Sequence, residues 1–410
     1  MSNRNQSSMF DGQRRSLVEA LELTRMSLLS HALDYRHWAI AYSGGKDSSA
    51  TVAAVLYLIE SGQVPAPETL TVLYADTRQE IPPLHLGAMD VLADVARRGY
   101  RTQVVLPALD DRYFVYMLGR GVPPPNNNTL RWCTPQIKVE PMTNALAALR
   151  DQYGEKFLML TGVRVGESAV RDGRIALSCG KNGAECGQGW FQETTPASVA
   201  DTLAPLLHWR VCHVWDLLTF GQMPGYALYH GLPMAGVAEV YGGDEAEEMN
   251  ARTGCIGCPL ATKDTALDYV LSQEKWSYMA PLKQLRPLYT ELRSFRHRKQ
   301  KAGETNKDGR LSSNPNRKGP LTLEARSWAL GMVLGIQAEI NTAADRLGRP
   351  RIDLINAVEE ARIRELIANR QYPNKWSDSD PDATELIEQV YQEGDHVITQ
   401  NLLIALESGL

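Results

Sequence analysis

Trp38-Ala39-Ile40-Ala41-Tyr42-Ser43-Gly44-Gly45-Lys46-Asp47-Ser48-Ser49-Ala50 is the stretch on which the fold turns. An apolar, strand-like run from Trp38 to Ala41 enters a glycine turn, and a helix-like run from Ala50 to Ile59 leaves it. Strand, glycine turn and helix in that order make a phosphate cradle. Gly44 and Gly45 let backbone N–H groups approach an anion, Ser43 and Ser48 add hydroxyl donors, and the new helix points its positive dipole end at the same place. The spacing is not that of a Walker A loop, which sets its first glycine further from a Gly-Lys-Ser/Thr.

The alternation continues downstream. Thr69-Leu70-Thr71-Val72-Leu73-Tyr74-Ala75 is rich in strand formers and stops at Asp76-Thr77, and a helical stretch from Pro83 to Arg98 leads to Thr102-Gln103-Val104-Val105-Leu106. Lys156-Phe157-Leu158-Met159-Leu160-Thr161 is a further apolar run before Gly162. Strand and helix in turn predict an α/β fold with a doubly wound, mostly parallel sheet. Ligands of such sheets gather beyond the carboxyl ends of the strands. Ser43 to Ser48, Asp76 to Glu80 and Gly162 to Arg171 fall at such ends and are expected to converge on one crevice. Gly180 to Thr202, glycine-rich and polar, reads as a loop, and apolar patterning resumes from Leu206 to Leu218. Lys301 to Gly319 reads as a linker. Helical periodicity over Pro320 to Leu347 and Asp353 to Asn369 predicts a C-terminal helical module. The expected segments are an N-terminal helical piece over 1–35, a nucleotide domain with a cysteine metal site over 36–265, a basic helix and linker over 266–318, and the helical module over 319–410.

With 410 residues, 43% of them hydrophobic, the chain exceeds one average domain and can bury a large core. It shows no basic start followed by an apolar core, and no apolar run approaching about 18 residues, so a cytoplasmic protein with no membrane partner is expected. The net charge of -5 excludes a uniformly basic nucleic-acid coat, but charge is segregated. Lys283 to Lys318 is strongly basic, whereas Ser377 to Leu410 holds no Lys or Arg. Arg293, Arg296, Arg298, Lys299 and Lys301 make a candidate anion-binding face, with a solvated basic helix and loop as the plainer reading. Six cysteines in a reducing compartment point to metal, cluster or sulfur chemistry rather than to disulfides.

Cys255-Ile256-Gly257-Cys258 places two soft ligands close enough for one metal, with Gly254 and Gly257 permitting the tight turn. Alone it fits zinc, an iron–sulfur cluster or a redox dithiol. Cys133, Cys179 and Cys186 offer further ligands, and Cys212, in an apolar helical stretch, reads as a buried core thiol. Gly162-Val163-Arg164-Val165-Gly166-Glu167-Ser168-Ala169-Val170-Arg171 sets two arginines on a loop after a strand, where planar guanidinium groups can grip sulfate, phosphate or an adenylate.

Ser-Gly-Gly-x-Asp-Ser at 43–48 resembles the PP-loop of ATP pyrophosphatases, which adenylate a substrate and release pyrophosphate. Gly-x-Arg-x-x-Glu-Ser-x-x-Arg at 162–171 resembles a signature of the PAPS reductase superfamily of such proteins. Arg131 to Met142, in which Cys133 precedes Lys138 and Pro141, is similar to a second segment of that superfamily. His208 to Asp216 is similar to its Trp-x-x-x-x-Val-Trp helix entry, where Trp209 and Trp215 are expected to pack. The nearest likeness is to the DndC and SspD group, PP-loop sulfur-transfer proteins of DNA phosphorothioation. Gly319 to Arg326 and Glu359 to Arg364 resemble the tail of that group.

The resemblance implies an ATP pyrophosphatase that adenylates an acceptor, the DNA backbone in that group, for sulfur incorporation in bacterial defence. Ser43, Gly44, Gly45, Lys46 and Ser48 would hold the pyrophosphate. Asp47 would orient Mg²⁺ or the loop, Asp76 would contact the nucleotide directly or through Mg²⁺, and Gly162 would line the nucleotide site. Lys138, Arg164 and Arg171 would stabilise anionic groups on the substrate side. A [4Fe-4S] cluster is implied on Cys133, Cys255, Cys258 and a fourth cysteine, Cys186 rather than Cys179. The alternative is a structural zinc on Cys179, Cys186, Cys255 and Cys258. Cys179 as a persulfide is a further sulfur carrier, and the implied partners are a cysteine desulfurase as sulfur donor, other phosphorothioation proteins and DNA. A PAPS or APS reductase of sulfate assimilation, a tRNA thiolase and a non-catalytic nucleotide-sensing module are the other readings. Against the reductases, Glu407-Ser408-Gly409-Leu410 lacks a terminal cysteine motif and Cys133 is single where cluster-bearing APS reductases have a pair.

Overall fold

The strand β1 (His37–Tyr42) is buried over nearly its whole length, the pattern of a strand covered on both faces. β2 (Thr69–Ala75), β3 (Arg101–Val105), β4 (Phe157–Leu160) and β5 (Ala200–Leu203) complete a sheet in the order β3-β2-β1-β4-β5. Every neighbouring pair is parallel. From β1 the chain winds outward through β2 to β3, then returns to the other side of β1 for β4 and β5, which is the doubly wound arrangement expected. The direction of winding reverses between β1 and β4, the place where loops diverge and leave a crevice at the carboxyl edge. Ile40 pairs with Val72 on one side and Leu160 on the other, so the chain leaves β1 and β4 side by side.

The computed structural model describes residues 15–126, 130–166, 196, 198–242, 255–261, 263–300, 319–383, 388–390 and 396–398. The chain divides into two compact units. The first comprises Met1–Asp76, Pro82–Val105 and Val139–Thr253, and the second Thr77–Ile81, Leu106–Lys138 and Gly254–Leu410. This division cuts across the linear segments expected, because the chain leaves the sheet unit at the carboxyl ends of β2 and β3 and returns to it each time.

In the sheet unit, α1 (Leu17–His31), α2 (Lys46–Glu60), α3 (Pro82–Arg97), α4 (Glu140–Tyr153), α5 (Val211–Phe220) and α6 (Ala235–Tyr241) flank the strands. Helix α2 is apolar nearly all round, with Ala50 and Val52 to Leu56 inaccessible, as suits a helix enclosed by β1, α1, α5 and α6. Helix α4 lays Leu146 and Leu149 on Ala39, Leu73, Phe157 and Met159, each leucine contributing about 2 kcal/mol. Trp209 and Trp215 pack as expected. The Trp209 indole N–H donates to the Ala20 carbonyl at 3.1 Å and to Thr24 Oγ1 at 2.9 Å, fastening α1.

Two expectations change here. Ala200–Leu203, the end of the stretch read as a loop, is the edge strand β5. Its Asp201 breaks the apolar pattern but is satisfied by the Tyr35 hydroxyl and the Lys156 ammonium, both at 2.7 Å. Residues 180–195 lie outside the described ones. Cys212 is exposed rather than a core thiol, because α5 turns His213, Val214, Trp215, Leu217 and Leu218 inward instead.

The second unit holds α7 (Thr265–Ser272), a 3-10 stretch (Glu274–Gln284), α8 (Leu285–Glu291), α9 (Leu323–Leu347) and α10 (Ala357–Ala368). The last two are the expected helices of the C-terminal module, which also carries a short antiparallel pair, β6 (Glu388–Val390) and β7 (His396–Ile398). Arg326 on α9 is wholly buried. It donates to the carbonyls of Leu118 at 2.8 Å, Gln371 at 2.7 Å and Gly119, closing the C-terminal end of the π-helical turn Val115–Gly119. Burial lowers its pKa to about 10. Arg326→Met removes these donors and leaves buried carbonyls unpaired, so unfolding free energy should fall by about 3 kcal/mol. Urea denaturation checks this, and an unmoved midpoint refutes it.

The candidate anion-binding face is also corrected. Arg298 and Lys299 are buried. The Arg298 guanidinium donates to the Gly319 carbonyl, and Lys299 Nζ reaches the carbonyls of Asp378 and Asp380 and the Asp382 carboxylate. Arg293 donates to the Pro125 carbonyl at 2.6 Å. Arg296 is the exposed member and is paired with Glu291, while Lys301 lies outside the described residues. Charge density along the sequence does not record which cations the fold consumes. Among the described residues no helix is long and apolar enough to cross a membrane.

Candidate functional site

Between β1 and α2 the chain runs through Ser43, Gly44 and Gly45. Gly44 takes φ +73, and a Cβ there would stand 3.2 Å from Ala88 Cβ, so the turn needs a residue without a side chain. Gly45 is the N-cap of α2 and supplies no side-chain cap, which leaves the first N–H groups of a 15-residue helix pointing into the turn. The Ser43 N–H donates to Ser48 Oγ at 3.2 Å, the two hydroxyls lie 3.2 Å apart, and Ser48 Oγ also donates to the Gly45 carbonyl at 3.0 Å. These bonds close the loop on itself and keep both hydroxyls at the helix mouth, where the dipole favours an anion.

Asp47 does not stand open. Its Oδ1 accepts from Arg164 Nε at 2.6 Å and its Oδ2 lies 3.4 Å from Lys46 Nζ. Arg164 is 5% exposed, and its Nη1 donates to the Trp209 carbonyl at 3.1 Å. A guanidinium so removed from water is tolerable only with these partners. Arg164, expected to face the substrate, instead fastens the loop after β4 to the loop after β1. Gly162 lets that approach happen: a Cβ there would fall 2.8 Å from the Asp47 carbonyl carbon and oxygen and from the Ser48 nitrogen. The 43–48 and 162–164 segments are thus brought together at the switch point. Arg171 and Cys179 lie outside the described residues.

The segment from Asp76 to Glu80 is divided. Asp76, buried, belongs to the sheet unit and its N–H donates to the Val105 carbonyl at 3.0 Å. Thr77–Ile81 belongs to the second unit. There the Glu80 carboxylate accepts from the Thr77 hydroxyl at 2.6 Å, Arg78 adopts φ +61 and pairs with Glu359 and Asp353, and the Gln79 carbonyl accepts from the Ile256 N–H at 2.8 Å. That last bond supports the Cys255–Cys258 turn, in which Gly257 has φ +62 with Leu285 and Tyr289 packed against it.

Cys133, Cys255 and Cys258 gather in this second unit. Burial, helped by Glu80 and Cys258, pushes the Cys255 thiol up to about 12, while Lys138 pulls the other way. Burial raises Cys133 as well. Lys138, expected on the substrate side, is thus within electrostatic reach of Cys255. The hydroxyls of Tyr113 and Tyr289 are buried without hydrogen-bond partners among the described residues and are electrostatically coupled to the thiols. Soft ligands beside orphaned donors suit a thiolate-bound metal group, whose sulfurs accept hydrogen bonds. Among the described residues no group of His, Cys, Asp and Glu is arranged to hold a metal ion, and the expected fourth ligand, Cys186, lies outside them.

A family model described as the phosphoadenosine phosphosulfate reductase domain matches residues 37–261, more than half of the chain. The chain belongs to this family. The match begins at β1 and takes in the loop, the Arg164 segment and the Cys255–Cys258 turn. Among solved structures, the chain is similar to phosphoadenylyl-sulfate reductase from Candida auris in its phosphate complex, at 14% identity over 52% of this chain and 90% of that one, TM-score 0.33. It is also similar to the U34-tRNA thiolase NcsA from Methanococcus maripaludis with its [4Fe-4S] cluster, at 13% identity over 67% and 76%, TM-score 0.33. A third is NMN synthetase from Francisella tularensis, at 13% identity over 63% and 93%, TM-score 0.33. No curated protein matches significantly.

Within this phosphoadenosine phosphosulfate reductase domain, reading the sequence misses Tyr241. Its hydroxyl stands 3.4 Å from the Lys46 N–H and its ring lies 5.0 Å beneath Lys46 Nζ. A lone tyrosine so far from the loop in sequence carries no local signal.

Proposed function

We propose that this chain is a cytoplasmic ATP pyrophosphatase that adenylates an acceptor for sulfur incorporation, with the DNA backbone as that acceptor. The observation that carries the reading is the N-terminus of α2, with no capping side chain at Gly45, behind left-handed Gly44 at the sheet's switch point, with both loop hydroxyls held at its mouth. Attack of an acceptor oxygen on the α-phosphorus forms one P–O bond and breaks the α,β-bridge, and the pyrophosphate leaves with the electron pair. The Ser43 and Ser48 hydroxyls, Lys46 and the first N–H groups of α2 stabilise the charge it gains. Arg164 keeps Asp47, and through it the loop, in register. Asp76, buried just beyond the carboxyl end of β2, is the carboxylate assigned to Mg²⁺. The outer sulfur of a Cys179 persulfide, supplied by a cysteine desulfurase, then attacks the acceptor atom that bears the adenylated oxygen. AMP leaves with that oxygen and the electron pair, and an external thiol reductant cleaves the S–S bond, leaving the sulfur on the acceptor and a disulfide on Cys179.

Cys133, Cys255 and Cys258 would hold a [4Fe-4S] cluster with Cys186 as fourth ligand, and only with the fourth iron left accessible would that group supply a binding position for sulfur; structural zinc is the alternative. DNA as acceptor and the other phosphorothioation proteins as partners rest on the likeness of the 162–171 and C-terminal motifs to the DndC and SspD group. The family match favours one second reading, reductive cleavage of phosphoadenylyl sulfate. Chromatography of products separates the two: AMP and pyrophosphate are expected from ATP and Mg²⁺, and sulfite release from phosphoadenylyl sulfate with a thiol reductant would replace the proposal with the reductase. ADP and phosphate as sole products would reject the pyrophosphatase. Phosphorothioate dinucleotides in nuclease-digested DNA from cells carrying the intact pathway are the expected sign of the acceptor, and their absence would move it to RNA or a small molecule.

A further inference from the structure

Lys46 is the first residue of α2, so its backbone N–H has no partner within the helix. The atom that stands on it is the Tyr241 hydroxyl oxygen, at 3.4 Å, and a Cβ built on the N-cap Gly45 would lie 3.1 Å from the same oxygen. The Tyr241 ring carries the Lys46 ammonium 5.0 Å from its centroid, within the range of a cation–π contact. Trp215 meets the ring edge-on at 5.6 Å, and Tyr241 is 8% exposed at the end of α6. The side chain is thus packed in place with its polar tip at the mouth of the cradle.

We infer that Tyr241 is a positioning residue of the phosphate seat: its hydroxyl occupies the Lys46 N–H until a phosphate oxygen takes that place, and its ring holds the Lys46 ammonium over the seat. This rests on the reading of Ser43–Ser48 as a pyrophosphate cradle. The two halves of the side chain act in opposite directions. A neutral phenol oxygen is a weaker partner for an N–H than an anionic phosphate oxygen, so the ligand wins the exchange but must displace the hydroxyl to do so. The ring, by contrast, favours the ligand, because an ammonium already held over the seat loses less freedom on binding.

Calorimetric titration of the full chain with inorganic pyrophosphate separates these contributions. Tyr241→Phe keeps the ring and removes the competitor, and should bind pyrophosphate about fivefold tighter, the equivalent of one neutral hydrogen bond no longer displaced. Its KM for ATP should fall while kcat does not rise, and inhibition by added pyrophosphate should strengthen. Tyr241→Leu loses the ring as well and should bind more weakly than Tyr241→Phe. Near-ultraviolet circular dichroism should show Trp215 packing retained in the Phe variant. Binding by Tyr241→Phe that equals or falls below wild type overturns the displaced-hydroxyl role, and equal binding by the Leu and Phe variants overturns the role of the ring. Failure of wild type and both variants to bind pyrophosphate overturns the cradle reading itself, an outcome distinct from the other two because each of those requires measurable binding.

Discussion

Gly162→Ala should abolish nearly all of the proposed ATP pyrophosphatase activity, a loss on the order of 100-fold or more in kcat/KM. The added Cβ would fall 2.8 Å from three backbone atoms of Asp47 and Ser48. None of these can rotate away as a flexible side chain would, so the loop after β1 or the loop after β4 must move. Either movement loosens the Arg164–Asp47 pair at 2.6 Å and shifts the Ser48 hydroxyl at the helix mouth. Asp47→Ala should match this loss and in addition destabilise the fold by about 3 kcal/mol, because it strands the buried Arg164 guanidinium without its carboxylate. Gly335→Ala on α9 is the control, since nothing lies within 4 Å of the Cβ it adds. AMP production, measured as initial rates, decides the matter. Activity in Gly162→Ala within twofold of wild type would mean that the close approach of the two loops has no part in turnover.

Replacing Cys133, Cys255 or Cys258 with Ser should each remove the iron and acid-labile sulfide retained after anaerobic reconstitution, together with the broad visible absorption of cysteine-ligated iron. Serine is a hard and weakly acidic substitute for thiolate, so loss at one ligand is not made up by the rest. Cys212→Ser should keep full iron content, because Cys212 is exposed on α5 in the sheet unit, whereas the other three thiols are coupled to one another in the second. Loss confined to Cys179 or Cys186 variants would take Cys133 out of the ligand set. Zinc in place of iron in wild-type protein would put the structural site on Cys179, Cys186, Cys255 and Cys258 and remove the cluster from the sulfur route, leaving the ATP chemistry intact.

How far the site could be read from the residues alone depended on how local its parts are. The 43–48 loop is a continuous segment whose glycines, serines and flanking apolar runs announce strand, turn and helix together, and β1, α2, β2, α3 and β4 stand where those runs lie. The sequence marks Gly162 and Arg164 as candidates, and the structure brings both against the 43–48 loop, but the direction of the Arg164 side chain is not legible in it. A guanidinium after a strand reads as a ligand for anions, and nothing nearby in the chain says that Asp47 and the Trp209 carbonyl will claim it. The run containing Arg298 and Lys299 misled for the same reason: its carbonyl and carboxylate partners lie at Gly319 and at Asp378 to Asp382. Strand β5 escaped because Ala-Asp-Thr-Leu is short and half polar, and it is a strand only by virtue of pairing with β4.

By itself, then, the sequence determined the parallel α/β winding and the position of the glycine turn between β1 and α2, since both follow from backbone preferences and apolar periodicity within short windows of chain. Tertiary structure alone decided which charges are spent inside the fold, that Cys212 faces outward, that the chain leaves the sheet unit after β2 and β3 to build a second unit, and that Tyr241 stands on the Lys46 N–H. Each of these depends on groups far apart in the chain meeting in space, where desolvation and partner geometry rather than local propensity set the outcome.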